Sequence, residues 1–135
     1  MAESNQRGLW VWRILSAIVL LATGGIHLWL VLNGTGGILG VAFILNAIAG
    51  LVLGIAMLVL RGRLLQLATV LSLLFLIATL LALILALTIG LFGITEDWDR
   101  PLVPQAVIVE SIGIVVLGIT TAVVLRVPRT SATTP

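Results

Sequence analysis

Four long apolar runs, each of about membrane-spanning length, occupy most of this 135-residue chain. They cover residues 14–32, 38–60, 64–91 and 106–125. A hydrocarbon core about 30 Å thick is crossed by roughly 20 helical residues. Backbone groups in lipid need hydrogen-bond partners within the protein, and the runs are continuous rather than alternating, so helices are expected. The sequence therefore predicts an all-α, polytopic membrane protein folded as an antiparallel bundle of four transmembrane helices, with the membrane domain at residues 14–126.

Composition supports the bilayer as the solvent of this chain. Hydrophobic residues make up 61% and charged residues 9%, whereas a soluble domain is about 25% charged. The absence of cysteine excludes disulfide exchange, thiolate metal ligation and cysteine nucleophiles. A single histidine excludes haem held by two histidines, and no cofactor is expected.

The arginines predict the orientation. Six of the seven fall on the side that holds both termini, and only Arg100 falls on the other side. By the positive-inside rule this predicts a multi-pass protein of the plasma membrane with both termini in the cytoplasm. Residues 1–13 are then a cytoplasmic segment and residues 127–135 a disordered cytoplasmic tail. Lipid headgroups and topology account for the inner arginines, so nucleic acid is not an expected partner. The six inner arginines are Arg7, Arg13, Arg61, Arg63, Arg126 and Arg129.

Small residues mark the expected helix contacts. The turn at residues 61–63 is so short that the second and third helices are expected to be antiparallel neighbours. Gly50 and Gly54 form a small-xxx-small motif in the second helix. One interpretation packs this motif inside the bundle. The other uses it for self-association or for contact with another membrane protein.

Two ionisable side chains lie within the apolar runs, His27 and Glu110. An intramembrane carboxylate costs roughly 2–3 kcal/mol or more, so it is seldom left facing lipid. His27 lies five residues before the end of the first run and Glu110 four residues after the start of the fourth. At 1.5 Å per residue both lie about 6–8 Å inside the outer boundary. The sequence therefore predicts a His27–Glu110 contact that shares a proton between the first and fourth helices.

This predicted pair has three interpretations. It is a polar clasp between two helices, or a proton-linked or small-ligand site that opens outward, or a metal site. The outer loop carries further acids that could complete a ligand set, although one histidine with carboxylates is a thin set for a metal. Asn46 lies near the middle of the second helix and is expected to make an interhelical hydrogen bond. The other candidate residues near the pair are Thr88, Glu96, Asp97 and Asp99.

The outer loop itself has a simpler interpretation. Three carboxylates around Trp98 could bind a cation or a partner. The alternative that we favour is a solvated loop in which Arg100 pairs with a neighbouring acid.

The chain resembles small four-helix integral membrane proteins of actinobacterial type. The resemblance lies in His27 within a Gly-Ile-His-Leu segment, in Gly90-Leu91-Phe92-Gly93-Ile94 leading to Glu96, and in Glu110. Members of that group carry a proline in the Gly-Leu-Pro-Phe-Gly-like segment, and this chain lacks it. The resemblance implies an outward-facing His/Glu feature and brings no activity with it.

Two functions follow from these observations. The first is an accessory or interaction subunit of the cell envelope, which explains why no catalytic, cofactor-binding or metal-binding constellation is evident. The second is a small transporter or a ligand- or cation-binding protein that uses His27 and Glu110 in an outward-facing polar site. An enzyme is not expected, because the sequence offers no nucleophile–base pair, metal triad or phosphate loop.

Overall fold

The structure, a computed structural model, describes residues 2–126. Within that range the chain forms four α-helices: α1 (Ala2–Leu32), α2 (Gly37–Val59), α3 (Gly62–Thr88) and α4 (Val103–Arg126). Each helix is long and apolar enough to cross a membrane. The predicted all-α bundle of four membrane-spanning helices is confirmed.

The first helix is longer than the apolar run that predicted it. α1 continues without interruption through the polar segment that precedes residue 14. That segment holds no proline, and extending an existing helix adds one hydrogen bond for each residue fixed. Most of the predicted segment 1–13 is therefore the start of α1. The predicted disordered tail, residues 127–135, lies outside the described residues.

We call the end of the bundle that holds the loop between α3 and α4 the outer end, and the opposite end the inner end, after the predicted orientation. At the outer end α3 and α4 also differ from the apolar runs. α3 stops at Thr88, because Gly90 adopts a left-handed φ of 83° and its N–H bonds back to the carbonyl of Leu85. α4 begins at Val103 rather than residue 106. Pro104 lies in its first turn, where a missing N–H removes no helical hydrogen bond. The outer loop thus spans residues 89–102.

Packing joins the helices in the spatial order α2–α1–α4–α3. α1 packs along both α2 and α4, and α3 packs along α4. The predicted proximity of the first and fourth helices is confirmed. α2 and α3 touch far less than these pairs do, although they follow each other through a tight turn. The turn, where Gly62 has a φ of 61°, joins the two helices at the inner end.

The glycines of α2 explain why α2 follows α1 instead of α3. A Cβ on Gly50 would lie 2.8 Å from the carbonyl oxygen of Leu20 and 3.1 Å from the Cα of Gly24. A Cβ on Gly54 would lie 3.0 Å from the side chain of Leu21. The two backbones therefore approach as closely as glycine allows. Gly50 and Gly54 are buried against α1, as the interpretation that packs the motif inside the bundle expects. Self-association and contact with another membrane protein stay predictions.

Arg13, at the inner end of the bundle, does more than contribute to the predicted membrane orientation. Arg13 is buried, and its Nε and Nη2 each donate a 2.7 Å hydrogen bond, to the carbonyls of Met57 and Leu60 respectively. Its guanidinium also lies 4.2 Å from the centre of the Trp10 ring. Arg13 thus satisfies carbonyls that the end of α2 leaves without helical partners.

Candidate functional site

A cavity of about 540 Å³ lies between α2 and α3 in the outer half of the bundle. Its walls come from the first half of α2, the last half of α3, the outer loop and the outer ends of α1 and α4. Its volume is within the range of about 300–1,000 Å³ that is usual for small-molecule sites. The lining residues are His27, Leu30, Ile38, Leu39, Ala42, Phe43, Asn46, Thr79, Ala82, Leu83, Ala86, Leu91, Phe92, Ile94, Glu96, Arg100, Leu102, Val103 and Ala106.

The cavity lies in a gap between α2 and α3, which contact each other far less than α2 contacts α1 or α3 contacts α4. Their connecting turn is on the inner side, and the packing that draws α2 onto α1 leaves a gap farther out. Ala42, Ala82 and Ala86 line the gap with methyl groups, which leave its space unfilled. α2 and α3, the two helices that border the gap, both expose large hydrophobic side chains.

A chain of hydrogen bonds forms the polar end of the cavity. The Asn46 Nδ2 donates to the Thr79 hydroxyl at 3.1 Å, and that hydroxyl donates to the Glu110 Oε1 at 3.0 Å. The chain connects α2, α3 and α4 across the gap. The predicted interhelical hydrogen bond of Asn46 is confirmed. Glu110 is only 1% exposed and lies directly behind the lining residue Thr79.

His27 forms part of the α1 wall of the cavity. The residue is 8% exposed. Its Nδ1 lies 2.8 Å from the carbonyl oxygen of Thr23, one turn earlier in the same helix. Its ring meets the Phe43 ring of α2 edge to face, with the centres 4.9 Å apart. Backbone on one side and an aromatic ring on the other therefore fix the imidazole.

The predicted contact between His27 and Glu110 is wrong. Among the described residues, the Glu110 carboxylate bonds to Thr79, and no hydrogen bond or ion pair joins it to His27. The clasp between α1 and α4 is instead at the inner end, where the Ser16 and Thr120 hydroxyls lie 2.8 Å apart.

The two residues nevertheless lie at nearly the same depth in the bundle, as predicted. From the Ser16–Thr120 contact, His27 is eleven residues along α1 and Glu110 ten residues along α4 in the opposite direction. At 1.5 Å per residue the two groups lie within about 2 Å of the same level. What separates them is the direction of the side chains, because Glu110 faces α3 and His27 faces α2.

The outer loop is fastened over the cavity by charges and hydrogen bonds. Arg100 pairs with Glu96, as predicted, and its Nη2 donates a 2.9 Å hydrogen bond to the Thr35 hydroxyl in the α1–α2 loop. The Glu96 N–H donates to the carbonyl of Ala86 at 2.9 Å. Glu96 and Arg100 both line the cavity, so this latch forms part of its outer rim.

The remaining candidate residues lie away from the cavity lining. Thr88 is exposed and bonds to the carbonyl of Ile84 in its own helix. Asp97 and Asp99 are exposed on the loop, where the Asp97 carboxylate accepts the Asp99 N–H at 3.1 Å. Within residues 2–126 no three His, Asp or Glu side chains come together to hold a metal ion. The structure therefore gives no support to the metal interpretation.

Several buried polar atoms in the outer half have no partner in the described part of the chain. Two of these atoms are oxygens of the hydrogen-bonded chain, the Asn46 Oδ1 and the Glu110 Oε2. Buried polar groups are normally satisfied, so unpaired ones beside a cavity are a signal that sequence reasoning could not supply. The other two are the Thr23 Oγ1 and the Glu96 Oε2.

These features define a class of protein: a multi-pass integral membrane protein whose four-helix bundle contains a cavity between two of its helices. No known protein family, no curated protein and no solved structure matches the chain. The resemblance to small actinobacterial four-helix proteins therefore stays a prediction.

Proposed function

We propose that this protein binds a membrane-dissolved, largely apolar small molecule in the cavity between α2 and α3. The observation that carries the proposal is the cavity itself, with about 540 Å³ of space and mostly aliphatic and aromatic walls. The polar side chains of His27, Asn46 and Thr79 also line it, and Asn46 bonds to Thr79. Apolar walls with a small number of placed polar groups are typical of small-molecule sites.

The geometry favours access from the lipid. α2 and α3 both present large exposed hydrophobic side chains, and they border the gap. The latch between Glu96, Arg100 and Thr35 closes the outer rim. A molecule dissolved in the outer leaflet would reach the cavity without crossing this latch. The candidate site is therefore formed by His27 and the Asn46–Thr79–Glu110 chain, and not by a His27–Glu110 pair.

A role as an accessory subunit remains a prediction, as does the expectation that the protein is not an enzyme. Nothing in the described residues bears on a partner chain or on a reaction. Binding is the simplest activity that the cavity supports.

Filling the cavity should abolish binding. The probe is a photoreactive aliphatic alcohol, added to vesicles that contain the protein, and its attachment sites are mapped by peptide mass spectrometry. We expect saturable labelling of the cavity walls. Ala82→Phe, on a lining residue, should lower it about tenfold, because the ring occupies the space that the probe needs. The matched control is Ala78→Phe, on the exposed surface of α3, which should leave saturable labelling unchanged. Only non-saturable labelling spread over the lipid-facing surface would refute the proposal.

We also propose the plasma membrane as the location, with both termini in the cytoplasm. The support is the six-to-one distribution of arginines across the bundle. Because the chain has no cysteine, single cysteines report on each side. Asp97→Cys in the outer loop should react with a membrane-impermeant maleimide in intact cells. Arg63→Cys in the inner turn should react only after permeabilisation, and the cysteine-free parent should not react. The reverse pattern would overturn the orientation.

A further inference from the structure

We propose that the molecule bound in the cavity carries a hydroxyl group that donates a hydrogen bond to the Nε2 of His27. The inference rests on the proposed function and narrows its ligand to an apolar alcohol or phenol. It follows from the direction of the hydrogen bonds that His27 and Asn46, two cavity-lining residues, already make.

The partner of His27 fixes which ring nitrogen carries the proton. A backbone carbonyl can only accept, so the Nδ1 must donate its proton to the Thr23 oxygen at 2.8 Å. In a neutral imidazole the other nitrogen is then an acceptor. The Nε2 makes no hydrogen bond within the described residues. His27 therefore offers the cavity an unpaired acceptor.

The orientation of Asn46 follows from the same reasoning. The Thr79 hydroxyl gives its single proton to Glu110, so it must accept from the Asn46 side chain. The Asn46 NH₂ group consequently faces Thr79, and its carbonyl Oδ1 is buried without a partner. Asn46 lines the cavity, as His27 does, but its Oδ1 is enclosed by protein atoms. The acceptor open to an occupant is therefore the Nε2 of His27, and the occupant must supply a donor.

The charged residues of the lining favour a hydroxyl over other hydrogen-bonding groups in the occupant. An ammonium group would need an unpaired carboxylate, but Glu96, the carboxylate in the lining, is already paired with Arg100. Glu110 lies behind Thr79 and is not part of the lining. A ketone, ether or carboxylate would set one acceptor against another and leave buried acceptors unpaired. A neutral hydroxyl on an apolar body is the group that fits.

The test compares a photoreactive aliphatic alcohol with its methyl ether in vesicles of the same lipid. The ether keeps the apolar body and removes the donor. In the wild-type protein we expect saturable labelling of the cavity walls to need about ten times more ether than alcohol, the ratio given by one buried hydrogen bond. Equal labelling by both would overturn the hydroxyl assignment and leave the proposed function intact. No saturable cavity labelling by either would overturn the proposed function itself.

A variant assigns the preference to His27. His27→Phe should reduce the preference for the alcohol by severalfold, while the ether still labels the cavity. Asn33→Leu is the control, because Asn33 is exposed and bonds to the carbonyl of Trp29 outside the cavity. It should keep the full preference. A preference that survives in His27→Phe would refute the assignment. The wild-type comparison tests the hydroxyl even if a variant does not fold.

Discussion

Gly50→Ala should force α1 and α2 apart and lower the free energy of unfolding by about 1–3 kcal/mol. The added Cβ would lie 2.8 Å from the Leu20 carbonyl oxygen and 3.1 Å from two backbone atoms of Gly24. All three are backbone atoms, so no side chain can rotate to make room. Titration of the purified protein with a denaturing detergent measures the change.

Gly25→Ala is the matched control for this substitution. Gly25 is exposed in α1, and nothing lies within 4 Å of its expected Cβ. Alanine there should be neutral or stabilising by up to about 1 kcal/mol, because glycine is the poorer helix former. If Gly50→Ala proved as stable as Gly25→Ala, the close approach of α1 and α2 would be contradicted.

Glu110→Ala is expected to destabilise the bundle by roughly 2–3 kcal/mol, whereas Glu110→Gln should cost less than about 1 kcal/mol. Alanine removes the acceptor of the Thr79 hydroxyl and leaves empty space at a site that is 1% exposed. Glutamine keeps an oxygen where the Glu110 Oε1 accepts this bond. The same detergent titration gives both values.

A surface carboxylate provides the control for Glu110. Asp97→Ala removes an exposed carboxyl group from the outer loop and should change stability by no more than about 0.5 kcal/mol. Similar stabilities for Glu110→Ala and Glu110→Gln would contradict a role for the Thr79–Glu110 bond in holding α3 against α4. That result would leave open only a role for Glu110 in binding.

The contacts of the outer loop show which pairings could be predicted from residues close together in the chain. Pairing of Arg100 with a neighbouring acid was predictable, because the partner, Glu96, is four residues away in the chain. The bond from Arg100 to Thr35 was not, since it joins residues 65 positions apart and depends on two loops meeting. The Asn46 hydrogen bond was predictable only in part. A buried amide needs a partner, but its identity depends on which helix faces α2.

At the inner end of the bundle, the contacts of Arg13 likewise depend on tertiary packing. Arg13 reads in the sequence as one of six inner arginines, and its charge fits that role. Only the packing of α1 on α2 brings its guanidinium to the carbonyls of Met57 and Leu60. Its burial leaves no trace in the local pattern of residues.

Hydropathy is a local property and the rise of a helix is fixed, so the sequence alone determined the four spans and the shared level of His27 and Glu110. The rotation of each helix about its axis is not a local property. It depends on tertiary contacts, such as the close contact of Gly50 with Gly24. The tertiary structure therefore decided that Glu110 meets Thr79 instead of His27. It also decided that α2 and α3 part at their outer ends, and this separation creates the cavity.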